Sequence, residues 1–181
     1  MSTQRFVRSA RREDIDAVVD IQVAAWESMY GGLLPDAVRA ELAGAEARSG
    51  FAAQWRAAVE APPSPRHRLL VATDEDRVAG FAAIGPAQDP DSGPGDAEVL
   101  ALHVGPGRVR RGHGSRLLNA SVDHLVDDGF SAAHLWVLEA ANPLRAFAES
   151  AGWRADGARR ELDLGTPLPM VRLHAAIGEI A

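Results

Sequence analysis

Between Gly105 and Leu118 the chain reads Gly-Pro-Gly-Arg-Val-Arg-Arg-Gly-His-Gly-Ser-Arg-Leu-Leu. The apolar spacing that follows is helical, and the first turn of a helix leaves four backbone N–H groups without carbonyl partners and an axial dipole that favours an anion. Gly112 and Gly114 carry no Cβ to hold a phosphate oxygen away from those amides. Arg108, Arg110, Arg111 and Arg116 add four cations with no acid between them, in a chain whose net charge is −6. Residues of these types at this spacing suit a polyphosphate. The plainer alternative is a glycine loop whose arginines solvate a surface. A dinucleotide fingerprint fits worse, because its third glycine would fall on Leu117. A nucleophile elbow around Ser115 lacks the flanking order.

Glu98 is the second chemical feature. It introduces the apolar run Val99-Leu100-Ala101-Leu102-His103-Val104, which feeds the glycine loop. A carboxylate at the mouth of a buried strand loses solvation, its pKa rises, and it becomes a base near neutrality. The alternative is a solvent-exposed edge glutamate. Regular alternation puts His103 on the face opposite Glu98, a parity that a bulge would reverse. His113 is expected to point from the loop toward phosphate or solvent. No pair of the six histidines has the i, i+4 spacing of a helical zinc site with a glutamate beside it, so no metal is expected.

The elements that must position these residues follow from pattern. Phe6 to Ala10 reads as a strand, and Ile15, Val18, Val19, Gln22, Val23 and Trp26 recur at helical spacing. Gly31-Gly32 and Pro35 end that helix, and one or two alanine-rich helices fill Asp36 to Glu60. Leu69 to Ala72 and Val78 to Ile84 form a hairpin turning at Asp74-Glu75-Asp76, and Gly85 to Asp96 is a loop. A strand to Val104, a helix from about Gly112 to Asp128, a strand over His134 to Leu138 and a short helix from Pro143 to Ala151 come next. Two strands around Gly165-Thr166-Pro167 close the order β-α-α-β-β-β-α-β-α-β-β. That order describes one α/β domain over residues 1–181, a mixed central sheet flanked by helices.

Counting excludes several classes. The 181 residues contain no cysteine, which removes disulfides, thiolate zinc, iron–sulfur clusters and a cysteine nucleophile. All 19 basic residues are arginine, so a phosphate-loop lysine, a kinase lysine and a pyridoxal Schiff base are impossible. The negative charge argues against nucleic acid as a partner. With no apolar run of spanning or signal length, no membrane is expected and cytoplasmic residence is the expectation.

The segment Glu98 to Leu118 resembles the acyl-CoA-binding motif of the GNAT superfamily of N-acyltransferases, a strand led by Glu, a Gln/Arg-x-x-Gly-x-Gly/Ala loop and a helix. Ala25-Trp26-Glu27-Ser28-Met29-Tyr30-Gly31-Gly32-Leu33-Leu34-Pro35-Asp36 is similar to the first-helix region of a common bacterial branch. Ala151 to Gly157 and Val171-Arg172-Leu173 are similar to its closing strands. The resemblance implies a GNAT-like fold and transfer of an acetyl group from acetyl-CoA to the amine of a small molecule or a protein amino terminus. Glu98 would be the general base, directly or through water. It implies cofactor contacts from Leu102, His103, Val104, Val109, Arg110, Arg111, Gly112, His113, Gly114 and Ser115, with Asn142 beside them. The backbone of Leu102 and Val104 would pair with the pantetheine arm, and the amides from Arg110 through Ser115 would cradle the pyrophosphate. Trp26, Glu27 and Tyr30 would border the acceptor groove, although Trp26 also shares a helix face with the core positions Val19 and Gln22. A homodimer is a family-level expectation.

Three positions depart from the family pattern. Val109 stands where the loop motif has Gln or Arg. Ala148, four residues before Gly152, stands where many relatives carry a tyrosine that protonates the leaving thiolate. Ala141 replaces a frequent asparagine, with Asn142 displaced by one place. A thiol of pKa ~8.5 leaves with little acid help, so transfer remains the leading expectation. The other is a catalytically degenerate acyl-CoA-binding sensor or partner module.

Overall fold

A computed structural model describes residues 5–140 and 142–178. Strand β1 (Arg5–Ser9) leads through a 3₁₀ turn into α1 (Ile15–Tyr30), α2 (Asp36–Ala43) and α3 (Ala45–Glu60). Then come β2 (Arg68–Asp74), β3 (Arg77–Pro86) and β4 (Asp96–Val104). Helix α4 (His113–Asp127), β5 (Ala132–Leu138), α5 (Pro143–Ser150), β6 (Arg154–Asp163) and β7 (Pro167–Ala176) complete the order. The alanine-rich stretch thus holds two helices, split at Gly44. Strand β4 starts two residues ahead of Glu98. The β2–β3 turn consists of Glu75 and Asp76, both at positive φ (53° and 64°), the twist that a two-residue hairpin requires.

The seven strands lie in the order β1-β2-β3-β4-β5-β7-β6, every pair antiparallel except β4 and β5. That parallel pair is short. Only Asp96, Ala97 and Glu98 are matched, to Ala132, Ala133 and His134. Beyond this register the two strands run on without pairing to each other, so the sheet opens at its centre along β4 after Glu98. A polar backbone edge left unpaired there must find other partners.

Helix α4 buries Leu117, Leu118 and Leu125 on one sheet face among Leu70, Ala82, Val99, Leu102, Val137 and Leu173. Each such leucine contributes about 1.5–3 kcal/mol of burial. The opposite face is covered by α1 and α3, through Ile15, Val18, Val19 and Trp55 on Val71, Phe81 and Ala83. Tyr30 and Leu34 cover a third cluster on Trp136, Leu138, Leu168 and Met170. Among the described residues no helix is long and apolar enough to cross a membrane.

Candidate active site

Strand β4 changes parity within its length. Ala101 pairs with Ala83 and Val99 with Ile84, so Leu100 is the extra residue of a β-bulge, half-exposed. Glu98 pairs with Gly85 and His103 with Phe81, and Gly85, Ala83 and Phe81 share one face of β3. The bulge therefore brings His103 onto the face that carries Glu98, correcting the expectation from regular alternation. The same step keeps Ala97, Val99 and Leu102 packed under α4.

On that face lies a cavity of about 620 Å³. Its walls include Trp26, Tyr30, Phe51 and Trp55 from α1 and α3, Glu98 and His103 from β4, Trp136 from β5 and Arg160 from β6. Trp26 is half-buried, edge-on to Tyr30 (ring centroids 5.7 Å apart) and to Phe51 (5.3 Å), so it is a wall of the chamber as much as a core residue. Tyr30 is buried, and loss of solvent pushes its phenol up despite the opposing charge of Arg160. Glu27 does not line this cavity. It is paired instead with Arg39 of α2, away from this cavity.

Glu98 is 7 % exposed and accepts no hydrogen bond from the described residues. Burial pushes its carboxyl up and the charge of Asp89 adds to this, while Arg160 and Arg172 pull the other way, and the net direction is upward. A buried, unpartnered carboxylate facing a chamber can take a proton. The chamber wall around it is braced by Arg172, whose guanidinium bonds Asp91 twice (2.7 Å each), Asp156 (2.7 Å) and Asp89 (3.2 Å). Trp136 donates to Asp89 (3.0 Å), and the Arg160 guanidinium stacks 4.3 Å from the Trp136 ring. Hydrogen bonds from Arg172 hold the Asp91 carboxyl down to about 2. This lattice ties the 87–95 loop to β5, β6 and β7. Sequence reasoning missed it, because its members are spread over 83 positions, from Asp89 to Arg172. His103, half-buried and edge-on to Phe81, is pushed down by burial to about 4 and is neutral at physiological pH.

At the other end of β4 the glycine loop opens α4. Gly112 is the helix cap at φ +79°, a left-handed conformation in which any side chain is strained. Arg116 is the first residue whose amide reaches a helical carbonyl (Gly112, 3.1 Å), leaving the amides from Gly112 to Ser115 at the helix start for an anion. Arg110 also sits at positive φ (61°), a local strain of about 1–3 kcal/mol of the kind stored at functional sites. Its side chain and that of Val109 are exposed.

Two expectations for this loop are corrected. The arginines do have an acid among them, buried Asp74 at the end of β2. It is bonded to Arg5 (3.0 Å) and Arg108 (3.3 Å), with Arg111 3.9 Å away. Burial pushes the Asp74 carboxyl up, but the Arg5 hydrogen bond and the surrounding positive charges outweigh it and hold it low. His113 does not face phosphate or solvent. It is 1 % exposed, with Nε2 3.5 Å from Asp74 and Nδ1 2.9 Å from Arg116, because the first turn of α4 rolls that position onto the sheet. Arg110 and Arg111 remain as the exposed cations before the helix.

Helix α5 holds the remaining positions singled out in the sequence. Ala148 is 0 % exposed, inside the cluster beneath α4. A larger side chain added there must displace its core neighbours. Asn142 lines the cavity, but its carboxamide caps α5, accepting from the Arg145 amide (2.9 Å) and donating to Ala140 (3.0 Å) and Leu138 (3.3 Å). Ala141 lies outside the described residues. Phe147, one place before Ala148, lies within reach of Gly114.

The residues present fit a pyrophosphate-bearing thioester. They offer free amides at a capped helix start, exposed arginines beside them, and an unpaired strand edge leading to a buried carboxylate. Among the described residues no cluster of three histidine or acidic side chains could hold a metal.

Comparison with known proteins agrees. The sequence model of the acetyltransferase (GNAT) family matches residues 24–153. An uncharacterized N-acetyltransferase of Bacillus subtilis, YuaI, is 30% identical over 145 residues, 80% of this chain and 77% of that protein. The fold is similar to the PaiA N-acetyltransferase of Thermoplasma acidophilum solved with coenzyme A (TM-score 0.66, 17% identity, 97% of this chain and 99% of that one). It is equally similar to the ribosomal-protein-S18-alanine N-acetyltransferase of Escherichia coli (TM-score 0.66, 18% identity, 98% and 97%). With a family match across most of its length and this site at the centre of that match, the chain belongs to the GNAT family of acetyltransferases.

Proposed function

We propose that this N-acetyltransferase moves an acetyl group from acetyl-CoA to a primary amine carried on a small, largely apolar body, with Glu98 as the general base. The observation that carries the reading is the buried, unpartnered Glu98 carboxylate, among the described residues the only acid lining an aromatic-walled chamber. Bound acetyl-CoA supplies an acyl carbonyl activated as a thioester. The amides from Gly112 to Ser115, with Arg110 and Arg111, hold the pyrophosphate, and the backbone of Leu102 and Val104 receives the pantetheine arm at the opening of the sheet.

Glu98 then takes a proton from the acceptor's ammonium, directly or through water, so that the nitrogen lone pair can attack. An alkylamine of pKa ~10.4 is neutral in about one molecule in 2,500 at pH 7, so a base contributes most for such acceptors. Trp26, Tyr30, Phe51 and Trp136 exclude water and offer apolar area to the acceptor's body. A second positive charge on the acceptor would meet no other acid among the described lining residues, which disfavours polyamines. The thiol leaves as a group of pKa ~8.5, without a tyrosine donor from α5.

The test is thioester turnover against a panel of arylalkylamines, aliphatic monoamines, polyamines and peptide amino termini, read as free thiol. Arylalkyl and aliphatic monoamines should lead. Preference for polyamines would contradict the acceptor class, and no thiol release with any amine would leave an acyl-CoA-binding module.

A further inference from the structure

Against Gly85, the β3 residue paired with Glu98, lies a histidine that the loop motif does not predict. Ser64-Pro65-Arg66-His67 forms a turn closed by the His67 amide on the Ser64 carbonyl (3.0 Å), with proline at its favoured second position. Ser64 Oγ accepts from the Arg66 amide (3.2 Å) and lies 2.8 Å from His67 Nδ1. The ring then lies on Gly85, whose missing Cβ would stand 2.6 Å from Cδ2 and 3.0 Å from Nε2. Only glycine at 85 leaves room for the imidazole.

Gly85 is the cross-strand partner of Glu98. Paired positions place their Cβ atoms about 5 Å apart on one face, so Nε2 lies no more than about 8 Å from the Glu98 Cβ. A gap of that size is within the combined reach of a glutamate side chain and one water. Both residues line the same cavity. Of the other charged groups around His67, Arg68 is paired with Asp128, Arg66 bonds the Asp128 carbonyl, and Arg160 stacks on Trp136. Among the described residues that line the cavity, Glu98 is the one acid.

We propose that His67 is a positioning residue for proton transfer, drawing from Glu98, through one bridging water, the proton that Glu98 removes from the acceptor. The proposal rests on Glu98 as the base. With Nδ1–H donating to Ser64 Oγ, Nε2 carries the lone pair. The ammonium N–H bond breaks and its proton goes to the carboxylate. The carboxyl proton passes to the water as the water's proton passes to Nε2, and the imidazolium releases a proton to solvent, restoring both groups. Gly85 is thereby the seat of the relay.

The test uses the fastest amine of the panel and a spectroscopic readout that needs no turnover. His67→Ala should lower kcat about tenfold, near or below the low end for proton-transfer groups, with KM for both substrates and thermal stability unchanged and with partial rescue by added imidazole. Gly85→Ala, which evicts the ring while keeping His67 and Glu98, should reproduce the kcat loss. Nitrogen NMR at a pH where the imidazole carries a single proton should show that proton on His67 Nδ1, against Ser64 Oγ. Parental kcat in His67→Ala, a loss carried by KM or stability, or a ring protonated on Nε2 would each overturn the relay. Full activity in Glu98→Gln would instead overturn the base beneath it. An inactive Glu98→Gln beside a fully active His67→Ala removes the relay alone.

Discussion

The two ends of β4 build their sites from different material. At the glycine loop the proposed working groups are backbone amides, drawn from the four consecutive residues Gly112 to Ser115, and the side chains mostly anchor the loop from beneath. Asp74 gathers Arg5, Arg108, Arg111 and His113 there. At the Glu98 end the working groups are side chains, drawn from helices, strands and a turn far apart in sequence. A backbone site tolerates substitutions such as Val109, because amides are common to all residues but proline. A side-chain site can change its acceptor by single replacements around a fixed carboxylate. On the proposed reading, the glycine loop takes the donor and the chamber selects the acceptor.

Replacing Glu98 should break the comparison most severely. Glu98→Gln keeps the shape and removes the proton acceptor, with an expected loss of ~10²–10⁴-fold in kcat/KM and unchanged acetyl-CoA affinity by calorimetry. At the other end, Gly112→Glu sets a strained backbone and a negative charge against the phosphates. Affinity for acetyl-CoA should fall by about 100-fold, or about 2.7 kcal/mol, while circular dichroism stays native.

Ala148→Tyr acts through neither end. Overpacking a core position should cost about 1–3 kcal/mol, read as a lower Tm, without a gain in turnover. The smallest effect sharpens the electrostatics. Arg160 favours the charged form of Glu98, so Arg160→Leu should raise that carboxyl further. The acid limb of kcat/KM for an uncharged-body amine should then move to higher pH, by roughly half a unit.

Most of the fold was legible because its signals are local. Apolar periodicity marks α1 and α4, turn residues mark the β2–β3 hairpin, and the glycines mark the α4 start. What was not legible depends on pairing between strands. The bulge at Leu100, which reverses the face of His103, is visible only against the register of β3. The acid beneath the loop is Asp74, 34 residues from Arg108. The pairing of Glu27 with Arg39, which keeps it off the cavity wall, likewise joins two helices. Counting back from Gly152 finds Ala148 but not its direction, which the packing of α5 decides. His67 has no motif at all, since its relation to Glu98 passes through a glycine on another strand.

The central claim is that a buried carboxylate at position 98 removes the acceptor's proton. The most direct measurement is the ratio of kcat/KM between the parent and Glu98→Gln across pH, with one alkylamine acceptor. Because the Glu98 pKa is raised, the parent loses activity as pH falls through that value. The ratio should be largest near neutrality and shrink toward one as pH approaches the amine's own pKa near ~10.4, where the acceptor deprotonates unaided. A ratio that is constant across pH, or close to one at pH 7, would contradict the account.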